Sequence, residues 1–184
     1  MQNTVKGIIL FLLFIGHALG QSICKVHGSI KTPKGLIQDQ VCEVPNQPES
    51  SISKILLNKT VLLQGKYPIT FEDRNKDKTL FAIQGPYDPS LQCPSHMFLI
   101  DLIGDKPRVY AFGVKNACAE HHWASWGKKR SVIAIKDNIR FTYSKGKLSP
   151  PPDDFGDGTP LSRRYPEDGK PQRLWPFVEE LPLK

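Results

Sequence analysis

From Asn58 to Tyr143 the chain repeats one motif: a short apolar run, a turn signal, another short apolar run. "TVLLQGKY" follows Asn58-Lys59, "TLFAIQG" stops at Gly85-Pro86, and "GDKP" separates "HMFLIDLI" from "RVYAFGV". "SVIAI" is joined to "IRFTY" through Asp137-Asn138, residues that tolerate positive φ in a tight hairpin. Turn signals every eight to twelve residues exclude a βαβ rhythm and predict a mainly β fold, a small barrel or sandwich of five to seven strands. Ile139, Phe141 and Tyr143 alternate with Arg140 and Thr142, so one face of that strand is expected inside. Phe98, Ile100 and Leu102 are expected to share an inward face in the same way, and "SVIAI" reads as a strand buried on both faces.

The flanks of this region differ from it. Lys6, the apolar run Gly7 to Ile15, and small residues Ala18 and Gly20 before Gln21 make residues 1–20 a signal peptide. Nine apolar residues reach only about 14 Å as a helix, too short for a bilayer core. The chain is therefore expected to be exported, periplasmic or secreted, with a mature part of 164 residues, 184 less those 20. Residues 21–149 read as a disulfide-containing β domain and 150–184 as a proline-rich C-terminal arm, with eight prolines in its 35 residues. Such a segment is not expected to pair inside a sheet. Leu174 to Leu181 nevertheless carries Leu174, Trp175, Phe177 and Val178, too much apolar surface to leave in water, and is expected to dock on its own domain or on a partner. Near the start, "CKVHGSI" and "DQVCEV" are expected to pair through "KTPKG". "PNQPESS" reads as a linker, and "ISKILL", Ile52 to Leu57, as one short helix capped by Ser50 or Ser51.

All four cysteines, Cys24, Cys42, Cys93 and Cys118, lie in the exported part, so two disulfides are expected. Of three pairings, Cys24–Cys42 with Cys93–Cys118 closes the shortest loops. A four-cysteine zinc site is disfavoured because the nearest two are eighteen apart. Asn58 in "NKT" matches a glycan acceptor if the host is eukaryotic.

The formal charge is +7, and the mature chain carries +6 once Lys6 leaves. The window Lys115 to Lys147 holds eight cations against Glu120 and Asp137, so it contains the whole excess. A field focused in this way favours an anionic partner, in this compartment an acidic protein or an anionic envelope polymer more naturally than nucleic acid. Within the window lies "EHHWASWGKKRS". Adjacent His121 and His122 would point to opposite faces of a strand, which argues against joint metal binding, and no paired ligand spacing is present. No metal or other cofactor is expected. His121 or His122 with Glu120, Asp101 or Asp105 could form an acid–base pair, and one of the two histidines would need partners such as His96 or Glu120 to hold a metal, but no GxSxG or HExxH motif supports chemistry. "DDFGDGT" lacks the ligand alternation of a calcium loop and reads as a polar turn.

Trp123 and Trp126, three apart, should also face oppositely, one into the core and the other exposed near the turn beside Lys128, Lys129 and Arg130. Aromatic and cationic residues together dominate binding surfaces, though the same pairing can be internal cation–π packing. These residues predict an exported non-enzymatic binding protein, of inhibitor or immunity type, with Trp123, Trp126, Lys128, Lys129 and Arg130 as its contact surface. The alternatives are a small hydrolase using His121 or His122 with Glu120, and a structural component of an envelope complex held by the C-terminal arm.

Overall fold

The computed structural model describes residues 23–44, 47–66, 68–85, 96–115, 118–151, 162–164, 171–173 and 176–183. Among these, fifteen strands pair, antiparallel throughout. The first sheet is a meander of β1 (Cys24–Thr32), β2 (Gly35–Val44), β3 (Gln47–Leu57) and β4 (Thr60–Gly65). The second contains β5 (Thr70–Arg74), β6 (Leu80–Gln84), β7 (Met97–Asp101) and β8 (Arg108–Val114). The third is built from β9 (His121–Ser125), β10 (Arg130–Ile135), β11 (Ile139–Ser144) and β12 (Lys147–Ser149). Beyond it, β13 (Ser162–Arg164) and β14 (Pro171–Arg173) form a two-stranded ribbon, and β15 (Pro176–Leu181) returns to pair with β8 at the edge of the second sheet.

The sheets stay open and stack as a sandwich of three layers rather than closing into a barrel. The second sheet is the middle layer, and its central strands β6, β7 and β8 are buried on both faces. Leu80, Ala82, Met97, Leu99, Tyr110 and Phe112 pack against Ile133, Ile135, Phe141 and Tyr143 of the third sheet. The residues between them, Phe81, Ile83, Phe98, Ile100, Val109 and Ala111, pack against Ile37, Ile55, Leu57 and Leu63 of the first. This explains why "MFLID" is a continuous apolar run: period-two alternation has no polar phase when both faces are covered. The expected inward face of Phe98, Ile100 and Leu102 is present, but Met97 and Leu99 are fully buried as well, in the other core.

Three expectations are corrected. The short helix over Ile52 to Leu57 is a strand, part of β3, which pairs with β2 on one side and β4 on the other. Ser53, Ile55 and Leu57 are buried at alternate positions, with Leu56 buried between them, and six residues cannot distinguish that period from a helical one. The helical turn present is a 3-10 turn at Lys136–Asn138, where Asn138 takes φ 60°. The strand number exceeds five to seven because the apolar runs already give more than that, the expected linker and helix form β3, the short segments β5 and β12 also pair, and the C-terminal arm contributes β13, β14 and β15. Finally, the proline-rich arm does pair with the middle sheet, at its edge, with Pro176 as the first strand residue, where a missing N–H is tolerated. Phe177 meets the His96 ring edge-on at 5.6 Å between centroids, and Val178, Leu181 and Leu183 pack on the cores. Residues 176–183 thus dock on their own domain; Leu174 and Trp175 lie outside the described residues.

The β10–β11 hairpin has the expected alternation, with Ile139, Phe141 and Tyr143 buried and Arg140 exposed. Cys24 and Cys42 face each other across β1 and β2 and form a disulfide, as expected. Cys118 is disulfide-bonded too. Cys93, residues 1–20 with the expected signal peptide, and "DDFGDGT" lie outside the described residues.

Candidate functional site

Four turns meet at one end of the sandwich. The β1–β2 turn brings Pro33 and Lys34, the β5–β6 turn Asn75 to Thr79, the β9–β10 turn Trp126 to Lys129, and the β11–β12 turn Lys145 and Gly146. Between them lies an open cleft of about 780 Å³ whose lining includes Lys34, Lys76, Lys128, Lys129, Arg130 and Lys145, with Asp77 the carboxylate among the described lining residues. Its floor includes Leu80, Leu102, Ser131 and Tyr143, all buried, with Trp126 packed against the core between the middle and third sheets.

Each turn is held by its own polar atoms. Lys34 N donates to Thr32 Oγ1 at 3.2 Å, and Thr32 Oγ1 donates to the Gly35 carbonyl at 2.8 Å. Asn58 bridges the same turn: Leu36 N donates to its Oδ1 at 3.0 Å, and its Nδ2 donates to the Lys34 carbonyl at 3.2 Å. A side chain at Gly35 (φ 124°) would enter the Asn58 amide, its Cβ only 2.1 Å from Oδ1. The proposed glycan acceptor is therefore exposed, at the tip of the β3–β4 turn, with its amide engaged in the neighbouring turn. Asn75 Oδ1 accepts from Thr79 N and Leu80 N at 2.8 and 2.9 Å. Ser131 Oγ donates to the Gly127 carbonyl at 3.4 Å, Ser144 Oγ to the Lys129 carbonyl at 3.1 Å, and Arg130 Nη2 to Thr142 Oγ1 at 3.2 Å. A Cβ at Gly127 would lie 2.3 Å from the Arg130 carbonyl oxygen, so this turn needs glycine. Lys145 and Gly146 both take positive φ, 50° and 75°, the conformation of a two-residue hairpin turn.

Beneath the cleft is a buried polar network. Asp101 has no exposed surface. It accepts from Arg108 Nη2, from Tyr143 Oη at 2.8 Å and from Ile103 N at 2.8 Å, so its charge is paired and its oxygens are satisfied. Tyr110 Oη donates to the Gly146 carbonyl at 2.9 Å, and a Cβ at Gly146 would meet Arg108 Nη2 at 2.7 Å. The middle sheet thus grips the turn that carries Lys145. Burial, reinforced by the hydrogen bond to Asp101 and its charge, pushes the Tyr143 phenol well above its ordinary range. Burial raises Tyr110 too, against the opposing charge of Arg108. Both phenols therefore stay neutral donors at physiological pH.

The other sequence-singled residues fall elsewhere. Trp123 faces away from the core, and the Arg140 guanidinium lies 5.6 Å from its ring centroid. Trp123, Ala134 and Arg140 form one row across β9, β10 and β11, and Ala134 has no exposed surface. The two tryptophans do face oppositely, but the assignment is reversed: Trp126, beside the turn, packs inward, and Trp123 is the outward one. His121 pairs with Ile135 and is half-buried, its Nε2 without a hydrogen-bond partner, while His122 is exposed at an irregularity in the pairing. Glu120 Oε2 lies 3.4 Å from Lys136 Nζ. Asp101, one suggested acid for a histidine pair, is committed to Arg108 and Tyr143. Among the described residues no group of three or more His, Cys, Asp or Glu is placed to hold a metal, and no helix is long and apolar enough to cross a membrane.

Sequence reasoning missed Lys34 and Lys76, which lie far from the basic window and join it only through the stacking of the three sheets. It also missed the role of Asp101, although a carboxylate inside "HMFLIDLI" is itself a signal, since a buried charge needs a partner. No family model matches the chain, and no curated protein or solved structure is similar to it.

Proposed function

We propose that this is an exported, non-enzymatic binding protein that holds an anionic partner at the turn end of the sandwich, with inhibitor or immunity-type action as the biological form. The Cys24–Cys42 disulfide fits an exported protein. The observation that carries the reading is the cleft itself: among the described residues its lining brings five lysines from turns of all three sheets together with Arg130 at the start of β10, against the carboxylate of Asp77. Among the described residues none of those lysines has an ion pair. Like charges held together this way repel one another, and an anionic partner relieves that cost.

The hydrolase reading has less support, because the Glu120 carboxylate faces Lys136 and the buried His121 Nε2 has no partner to orient it. The structural-component reading started from the apolar arm, and Phe177, Val178 and Leu181 are used within the domain. The test is retention of the folded protein on a negatively charged matrix. Salt-sensitive retention that is lost when Lys128, Lys129 and Arg130 are reversed to glutamate together supports the proposal. Equal elution of the reversed and unaltered proteins overturns it.

A further inference from the structure

We infer that the partner is a linear anionic glycan, carrying sulfate or carboxylate groups along its length, laid across the end of the three sheets; this rests on the anionic-partner reading above. Three observations carry it.

The first is the spread of the cations. Lys34 stands on the first sheet, Lys76 on the middle one, and Lys128 to Arg130 with Lys145 on the third. Sheets stack about 10 Å apart, so this rim spans about 20 Å. A lone phosphate or carboxylate is satisfied by donors converging within hydrogen-bond distance of it. Charges distributed over this length match a ligand whose own charges are distributed.

The second is the kind of cation. Five of the six are lysines. Lysine is a hydrated point charge on a flexible stem, without the planar fork that reads one carboxylate bidentately. Arg130, the one fork, already donates to Thr142. A rim of lysines recognises charge density along a polymer more than a specific carboxylate on a folded protein.

The third is the floor. Trp126 lines the cleft as a part-exposed aromatic residue, with Tyr143 buried beneath it. A sugar unit presents an apolar face of C–H groups as well as its charge, and that face can pack on the part-exposed indole of Trp126 with the charged groups left to the rim. A run of acidic residues alone offers no such face. Its usual alternative, adding a strand to a sheet edge, is not offered here, because the cleft is walled by turns. The amides and carbonyls of those turns are taken by Thr32, Asn58, Asn75, Ser131 and Ser144.

The test titrates the folded protein with heparin, with polygalacturonate and with polyglutamate at about 0.15 M salt, where screening acts beyond about 8 Å. The expected result is saturable binding of at least one glycan, more tightly than polyglutamate. Tryptophan emission should change on binding, and that change should vanish in Trp126→Phe. Reversing Lys34 and Lys76 to glutamate, both on surface turns, should weaken glycan binding on the order of tenfold. If polyglutamate binds as tightly as either glycan, the site takes acidic polypeptide, and if the bound glycan leaves emission unchanged, it lies away from Trp126: in both cases the glycan inference is overturned and the anionic reading stands. If none of the three polymers binds, both are overturned.

Discussion

The third sheet presents the same chemistry at its two ends and uses it differently. At the β10–β11 end, Lys136 meets Glu120 at 3.4 Å and Arg140 covers the Trp123 ring, so each cation has an internal partner. At the opposite end, Lys128, Lys129 and Lys145 have no ion pair among the described residues and are joined by Lys34 and Lys76 from the other layers. Net charge along the sequence does not distinguish the two ends; only the pairing in three dimensions does. On the proposed binding role, a basic window marks the contact surface only where its charges are left unmatched.

The largest effect that would sharpen this contrast is Asp101→Asn. Neutralising Asp101, the buried partner of a part-buried ion pair, leaves Arg108 and the Tyr143 hydroxyl poorly matched, so urea unfolding should show a loss of about 3 kcal/mol from the charge-assisted bonds lost. Glu120→Gln, which breaks the exposed pair at the other end, should cost under about 1 kcal/mol in the same measurement. Comparable losses at the two ends would erase the asymmetry. Gly127→Ala comes next. Its Cβ would press on the Arg130 carbonyl, and the strained turn should cost about 2 kcal/mol and weaken polyanion retention together.

The pH dependence is smaller and has a definite sign. Tyr143 is raised in the folded state, so the stability held by its neutral form is complete below the unfolded phenol value of about 10. It is lost as pH climbs above that value toward the folded one. Melting temperature should therefore fall above about pH 10, and Tyr143→Phe should flatten that fall. An equal fall in the variant would assign the effect to other groups. The smallest effect is Arg140→Ala, which should cost about 0.5–1 kcal/mol through the lost contact with Trp123 and leave retention on an anionic matrix unchanged.

Much of this architecture is legible in the chain. The β10–β11 hairpin follows from clean alternation at Ile139, Phe141 and Tyr143, because one side of that strand meets a core and the other meets solvent. The Cys24–Cys42 link follows from a turn signal between two short runs. The strand over Ile52 to Leu57 was hidden because its stabilisation comes from pairing with β2 and β4, which lie outside any local window. The middle layer was hidden for a related reason: "MFLID" specifies burial on both faces but not what covers them. Of the site, Trp126 to Arg130 is legible as an unusual cluster. Its completion by Lys34 and Lys76 is not, since those residues meet it only after three sheets have stacked.

The central claim is that the unpaired end binds and the paired end does not. Two variants of equal charge change test it on one anionic column: Lys128→Glu with Lys129→Glu, and Lys136→Glu with Arg140→Glu. Both lower the net charge by the same amount, so bulk attraction alone would move them equally. The account predicts that the first pair elutes at markedly lower salt than the second, which should stay near the unaltered protein. Equal shifts for the two pairs, with both variants folded, would contradict it.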